Sequence, residues 1–306
     1  MLIRNALLAI ALTTIAGQTV ATPRPPDTRP QEPANLTQLK ADINALIAAS
    51  GAEVAVAWRP LDAKPGEEIL INPTLRFHAA STMKVPVMIE LFRQADARRL
   101  RLDDKVLVTN EFKSIEDGSP FVLAATVDSD GETYKALGTK LSYRQLIEAS
   151  ITVSSNLATN ILIEQLGAPK VQATVDLMGA SGMQVRRGVE DQKAFDAGKN
   201  NTTDAMGLLT LFEAIGKGKA VSAKASAEML EILKRQKFND GIPAGLPAGT
   251  VMAHKTGTVT RIHHDAGIVY AARPYALVIL TRGILDQKVS AKLIADIAGV
   301  IARATS

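Results

Sequence analysis

Apolar positions recur with strand-like alternation at the two ends of the chain and with helical spacing between them. Leu36, Leu39, Ile43, Leu46 and Ile47 follow Asn35 and precede Ser50-Gly51, which predicts a helix. Val54 and Val56 alternate with small residues up to Trp58, and Ile69-Leu70-Ile71 follows Gly66; both stretches read as strands. The apolar run from Met83 to Phe92 predicts a helix with Pro86 in its first turn, where a missing N–H does no harm. Further helices are expected near 142–150, 155–166, 169–178 and 203–216. A strand region then begins at Lys255, with strands at about 265–272 and 275–281 joined by Arg273-Pro274. A last helix carries Val289, Leu293, Ile294, Ile297, Val300 and Ile301 on one face. Strands at both ends around a helical middle predict an α/β (α+β) fold. An antiparallel sheet flanked by helices is built from both termini, with an all-helical domain inserted. The expected divisions are 36–80 and 220–306 for the α/β domain and 81–219 for the helical one.

Three stretches stand outside this pattern. Arg4, the apolar run 6–16 and the small residues Thr19-Val20-Ala21 predict a secretory signal peptide over 1–21. The run is shorter than the roughly 20 residues a transmembrane helix needs. Residues 22–35 hold five prolines and read as an extended linker. Residues 110–140 are polar and hairpin-like. Asp128, Asp130, Gly131 and Glu132 lack the later glutamate of a calcium loop and read as a solvated turn. The expectation is a secreted or periplasmic monomer with no stable membrane insertion.

Composition narrows the chemistry. With 306 residues, 46% of them apolar, the chain can bury a sizeable core. A net charge of +4 and 4% aromatics lack the basic, aromatic-interleaved clusters of nucleic-acid binders. There is no cysteine, which excludes disulfides, thiolate metal sites, a cysteine nucleophile and a lipid-modified cysteine. His78, His254, His263 and His264 have no zinc-ligand spacing, and the His263-His264 pair reads as a packed or surface turn. No metal and no cofactor are expected.

Three short polar motifs then follow in order. Ser81-Thr82-Met83-Lys84 lies at a strand-to-helix transition, where orphan N–H groups and the helix dipole favour developing negative charge. Ser81 and Lys84 share a helical face, so the lysine can activate the serine. Ser154-Ser155-Asn156 opens another helix; Ser154 can give a proton to a leaving nitrogen, and Asn156 can bind an amide. Lys255-Thr256-Gly257-Thr258 offers a cation and hydroxyls for a carboxylate, with Gly257 letting a substrate approach the backbone. Singly, each motif is also what an ordinary cap or turn looks like. Each occurs once, and their order is that of serine β-lactamases and penicillin-binding proteins.

On these motifs the chain resembles class A serine β-lactamases over roughly residues 36–304. The flanks His78-Ala79-Ala80, Thr159-Asn160-Ile161-Leu162-Ile163 and Thr202-Thr203 extend the match. The resemblance implies a glutamate on an Ω-loop 36 residues after Ser154, and that residue is Glu190. There are departures. Ser155 replaces a usual aspartate, Ala194 a usual asparagine four residues after the glutamate, and the Ω-loop is short before Thr202. The segment between the first two motifs is longer by roughly a dozen residues near 110–140. A divergent branch is the resulting expectation.

The resemblance implies hydrolysis of a small-molecule β-lactam, with antibiotic resistance as the outcome. Ser81 attacks the carbonyl, and Lys84, or Glu190 through a water, takes its proton. The N–H groups of Ser81 and Thr258 form the oxyanion hole, Ser154 protonates the ring nitrogen, and Glu190 activates water for deacylation. Asn156, Lys255, Thr256, Gly257 and Thr258 bind the substrate; Arg261, Arg273 and Arg282 are candidates for a second carboxylate contact. The alternatives are a D,D-peptidase or esterase of the same fold, or a non-catalytic β-lactam-binding module.

Overall fold

The computed structural model describes residues 34–305. The expected leader, and the proline-rich stretch up to residue 33, lie outside the described residues. The chain opens with α1 (Ala34–Ser50), β1 (Glu53–Pro60), β2 (Ile69–Ile71) and β3 (Phe77–His78). A 3-10 turn, Ala80–Met83, leads into α2 (Lys84–Asp96). The long segment that follows contains β4 (Lys105–Leu107), β5 (Phe112–Lys113), β6 (Pro120–Phe121), α3 (Glu132–Lys135) and β7 (Lys140–Ser142). Next come α4 (Tyr143–Thr152), α5 (Asn156–Leu166), α6 (Ala168–Leu177), α7 (Gln192–Asp196) and β8 (Thr202–Thr203). The last part holds α8 (Ala205–Gly216), α9 (Ala223–Leu233), α10 (Ile242–Gly245), β9 (Val251–Val259), β10 (Ile262–Tyr270), β11 (Tyr275–Arg282) and α11 (Gln287–Thr305).

The main sheet has the order β2-β1-β11-β10-β9, antiparallel throughout. β1 from the start of the chain pairs with β11 from its end, with Val56 opposite Ile279. Both faces are covered, so β10 and β11 are buried almost continuously rather than in alternation. Val54, Val56, Trp58, Leu277 and Ile279 pack with Leu39 and Ile43 of α1 and Ile294 and Ile297 of α11. Ala55, Ala57, Ala266, Val278 and Leu280 face the other way, in one core with Leu208 and Phe212 of α8 and Met88 and Leu91 of α2. Small residues on that side let α8 lie close to the sheet: a Cβ on Gly216 would come within 2.7 Å of Ile268.

The expected mixed fold is what the structure has, with local differences. β9 begins at Val251, four residues before Lys255. α9 carries no expectation from the sequence pattern above; it is capped by Ser222, whose Oγ accepts the N–H of Ala225. His263 and His264 do not form a turn. They sit buried in β10, His263 Nδ1 3.0 Å from Ser290 Oγ. Segment 110–140 contains a hairpin, as expected, made by β5 and β6, and its two ends are brought together by the pairing of β4 with β7.

Candidate active site

Ser81 emerges from β3 through a backbone held on several sides. Ala79 N–H donates to Asn201 O at 2.9 Å, and Ala80 N–H to His78 Nδ1 at 3.0 Å. Thr82 Oγ1 donates to Ala79 O at 2.6 Å. His264 Nε2 lies 2.9 Å from His78 O. Burial pushes His264 down to about 4, so the ring is neutral near pH 7. Assigning its proton to Nε2 lets it donate to His78 O while Nδ1 accepts the N–H of Thr281 at 3.2 Å. Ala80 has φ +46°, Ser154 +58° and Glu190 +60°. Left-handed backbone at three non-glycine residues of one site is strain of about 1–3 kcal/mol each, maintained by the surrounding contacts.

Lys84 is fully buried and its Nζ donates to Ser154 O at 2.6 Å, Asn156 Oδ1 at 2.8 Å and Ser154 Oγ at 3.2 Å. Burial pulls the ammonium down to about 7, against the opposing pull of Asp128 and Glu190. Among the described residues no hydrogen bond joins Lys84 Nζ to Ser81 Oγ; the acceptors of 154–156 draw the amine to their side. Lys255 Nζ reaches the same hydroxyl, Ser154 Oγ, at 3.1 Å and also donates to Thr256 O at 2.8 Å. Its pKa is driven well down by burial and by the charge of Lys84, with Asp265 acting the other way. Two amines donating to Ser154 Oγ leave that hydroxyl's own hydrogen free to be given away. Ser155, in the usual aspartate position, is buried and caps α5: its Oγ accepts Ala158 N–H at 3.2 Å.

Glu190 is joined to this group through Asn156, whose Nδ2 donates to Glu190 Oε1 at 2.5 Å. The carboxylate is open to the cleft yet crowded by protein. Partial desolvation raises its pKa, Asn156 opposes, Asp128 adds to the rise and Lys84 counters it. The loop carrying it is tied on both sides. Asn160 accepts Val189 N–H at 2.7 Å and donates to Val189 O at 3.0 Å, a two-bond clamp beside Glu190. Asn201 accepts the N–H groups of Arg186 and Arg187 at 2.8 and 3.2 Å. Asp191, buried, accepts from Ser114 Oγ at 2.8 Å and Ile115 N–H at 2.9 Å, so the inserted segment holds the glutamate's neighbour. Ala194 is buried in α7 and offers no side-chain polar atom. Asp191, Gln192 and Asn200 make no hydrogen bond to Glu190. Gln192 turns to Asp196 and Asn200 accepts from Arg187.

Ser81, Asn156, Glu190 and Thr258 line one cleft of about 810 Å³, with Val127, Phe195 and Val259 on its walls. Gly257 sits tight against the nucleophile's backbone. A Cβ there would lie 3.0 Å from Thr82 Cγ2, 3.1 Å from Thr82 N and 3.2 Å from Ala79 O. Gly257→Ala is therefore expected to displace the Ser81 turn at a cost of about 1–3 kcal/mol. Single-turnover acylation of nitrocefin should slow while the circular dichroism spectrum is unchanged; an undiminished rate would show that the turn tolerates the methyl.

None of the three candidate arginines lines the cleft. Arg273 pairs with Asp62 and Glu67, Arg282 with Glu53, and Arg261 donates to Gly283 O at 3.0 Å. Asn160, Asn201 and Asp128 are contributors that the motifs do not single out for a role. Asn160 was visible in the flank after the second motif, whereas the partners of Asn201 and Asp128 lie far along the chain. No cluster of metal-ligating side chains occurs among the described residues.

This arrangement has counterparts. The profile of the family described as "Beta-lactamase enzyme family" matches residues 38–305. The extended-spectrum beta-lactamase PER-1 of Pseudomonas aeruginosa is 26% identical, over 76% of this chain and 74% of that protein. The crystal structure of a beta-lactamase from Sphaerobacter thermophilus has the same fold. Its TM-score is 0.75 at 24% identity, over 89% of this chain and 97% of that one. The structure of PBP-A superposes with TM-score 0.75 at 25% identity, over 88% of this chain and 96% of that one. With the profile spanning all three motifs and the main sheet, the chain belongs to the beta-lactamase enzyme family and is similar to its class A serine members.

Proposed function

We propose that the protein hydrolyses the amide of penicillins and cephalosporins through an acyl-enzyme on Ser81, as an exported monomer that confers antibiotic resistance. The observation that carries this is the convergence of Lys84 and Lys255 on Ser154 Oγ, with Glu190 bound into the same group through Asn156. Neutral Lys84 takes the Ser81 proton as the Oγ–carbonyl bond forms. The N–H groups of Ser81 and Thr258 hold the oxyanion, each worth about 3–4 kcal/mol in such sites. As the C–N bond breaks, Ser154 protonates the ring nitrogen and is reprotonated from the Lys84 ammonium. Lys255, Thr256 and Thr258 hold the substrate carboxylate without help from Arg261, Arg273 or Arg282, and Asn156 binds the side-chain amide. Glu190 then takes a proton from water as the water oxygen attacks the ester carbonyl; as the C–Oγ bond breaks, that proton passes back to Ser81 Oγ, and the ring-opened acid leaves. The leader of residues 1–21 sends the chain out of the cytoplasm; no helix among the described residues is long and apolar enough to cross a membrane.

The test is incubation of purified protein with benzylpenicillin, following hydrolysis by absorbance and the protein by intact mass. Turnover without a lasting adduct is expected. A lasting adduct without turnover would instead assign the site to a D,D-peptidase. Acylation should also depend on pH in a fixed direction. Burial favours neutral Lys84, the neutral form is the base, and so the single-turnover rate should rise as pH climbs through about 7. A rate that is flat there would place the proton on another group.

A further inference from the structure

The Ser154–Asn156 segment carries the proton donor and all four acceptors of Lys84, yet its middle residue, Ser155, brings no charge. The carboxylate at this helix end comes instead from the inserted segment. Asp128 Oδ2 accepts the N–H groups of Asn156 and Leu157, both at 3.0 Å, and Oδ1 accepts that of Asn156 at 3.1 Å. Next to it, Ser129 Oγ donates to Val153 O at 2.6 Å, so the loop is stitched to both sides of Ser154. The loop is itself locked: buried Asp130 accepts Glu132 N–H at 2.9 Å and is hydrogen-bonded by the Thr133 hydroxyl. Its preceding residue, Val127, is 70% exposed and lines the substrate cleft.

We propose that Asp128 is a positioning residue of the acyl-transfer site, anchoring Asn156 and placing a negative charge beside Lys84 and Glu190. The inference rests on the roles given above to Ser81, Lys84 and Glu190. Asn156 spends both ends of its amide on the site, Oδ1 on Lys84 and Nδ2 on Glu190. Anchoring its backbone therefore sets the base of each step at once. Electrostatics point the same way. Lys84 faces Asp128, Glu190 and Lys255, and Asp128 favours its ammonium. Glu190 faces Asp128, Lys84 and the Asn156 amide, and Asp128 disfavours its carboxylate. Tyr134, the remaining titratable group facing Asp128, is pushed up by burial and by that same charge and stays neutral. An aspartate fixed by backbone N–H groups thus raises together the pH at which Lys84 becomes neutral for acylation and that at which Glu190 is ionised for deacylation.

The test compares Asp128→Asn and Asp128→Ala with wild type, using Glu132→Gln, an exposed charge on the same loop, as the control. Asparagine keeps an acceptor at the helix end and removes the charge. Both the acylation limb and the acidic limb of deacylation should then move to lower pH, and the active forms of Lys84 and Glu190 should be at least as populated at pH 7 as in wild type. Alanine removes the anchor as well, and single-turnover acylation should fall by up to about 10²-fold. Glu132→Gln should leave rates and limbs unchanged. Limbs that stay at their wild-type positions in Asp128→Asn overturn the inference, whatever happens to the melting temperature. Wild-type acylation is measured first. An unacylated wild type overturns both readings, and an acylated wild type with unshifted variants overturns this one alone.

Discussion

Ser81→Ala is expected to lose penicillin turnover by about 10⁶-fold, the scale on which other serine acyl-transfer enzymes respond to losing the nucleophile. The remaining residues can still bind the carboxylate and polarise the carbonyl, but no atom is left to form the ester. The fold should not suffer. Ser81 Oγ makes no hydrogen bond among the described residues, and the turn that presents it is held by His78, Ala79, Thr82, Asn201 and His264. The melting temperature should therefore hold or rise, because the substitution removes no hydrogen bond that stabilises the fold. Nitrocefin hydrolysis, intact mass after penicillin and thermal unfolding check the three parts. Retained turnover would sink the assignment of Ser81.

Glu190→Gln should leave acylation largely in place and slow deacylation by about 10²–10⁴-fold, the usual contribution of a positioned general base. Glutamine is nearly isosteric and can still present a carbonyl oxygen to Asn156 Nδ2, so the loop should stay where it is. A penicilloyl adduct should then persist in the intact mass and a burst should precede a slow steady state. The wild type should show the same defect in milder form on acidification. Partial desolvation raises the Glu190 pKa, so its carboxylate is lost at higher pH than that of an ordinary glutamate. Unchanged deacylation in Glu190→Gln would move the base elsewhere. The outcome matters most here, because Ala194 leaves Glu190 with Asn156 as its hydrogen-bond partner.

The departures from the family pattern, read from the chain alone, pointed to a divergent branch whose site lacks some of the usual supports. The structure shows how much of that is made good. Ser155 caps α5 from a buried position. The longer segment between the first two motifs reaches the site twice, through Ser114 and Ile115 on Asp191 and through Asp128 on Asn156 and Leu157. What looked like a solvated turn is a strut of the cleft.

Ser81, Lys84, Ser154 and Lys255 stood out as candidates because short-range patterns carry them, whereas Glu190 came only from the spacing that the family resemblance implies. A serine at a strand-to-helix transition, a lysine one turn on and a capped second helix are short-range features, and residue order carries them directly. The mixed fold was legible for the same reason, from periodicity at the two ends and in the middle. The tertiary structure decided which acceptors hold Lys84, that Lys84 and Lys255 share Ser154, that Arg261, Arg273 and Arg282 stay out of the cleft, and that Asp128 completes the end of α5. Those contacts span 28 to 101 positions along the chain. No local pattern encodes such pairings. They exist because burial in a shared core brings distant polar groups together, and a buried donor or acceptor has to find its partner there.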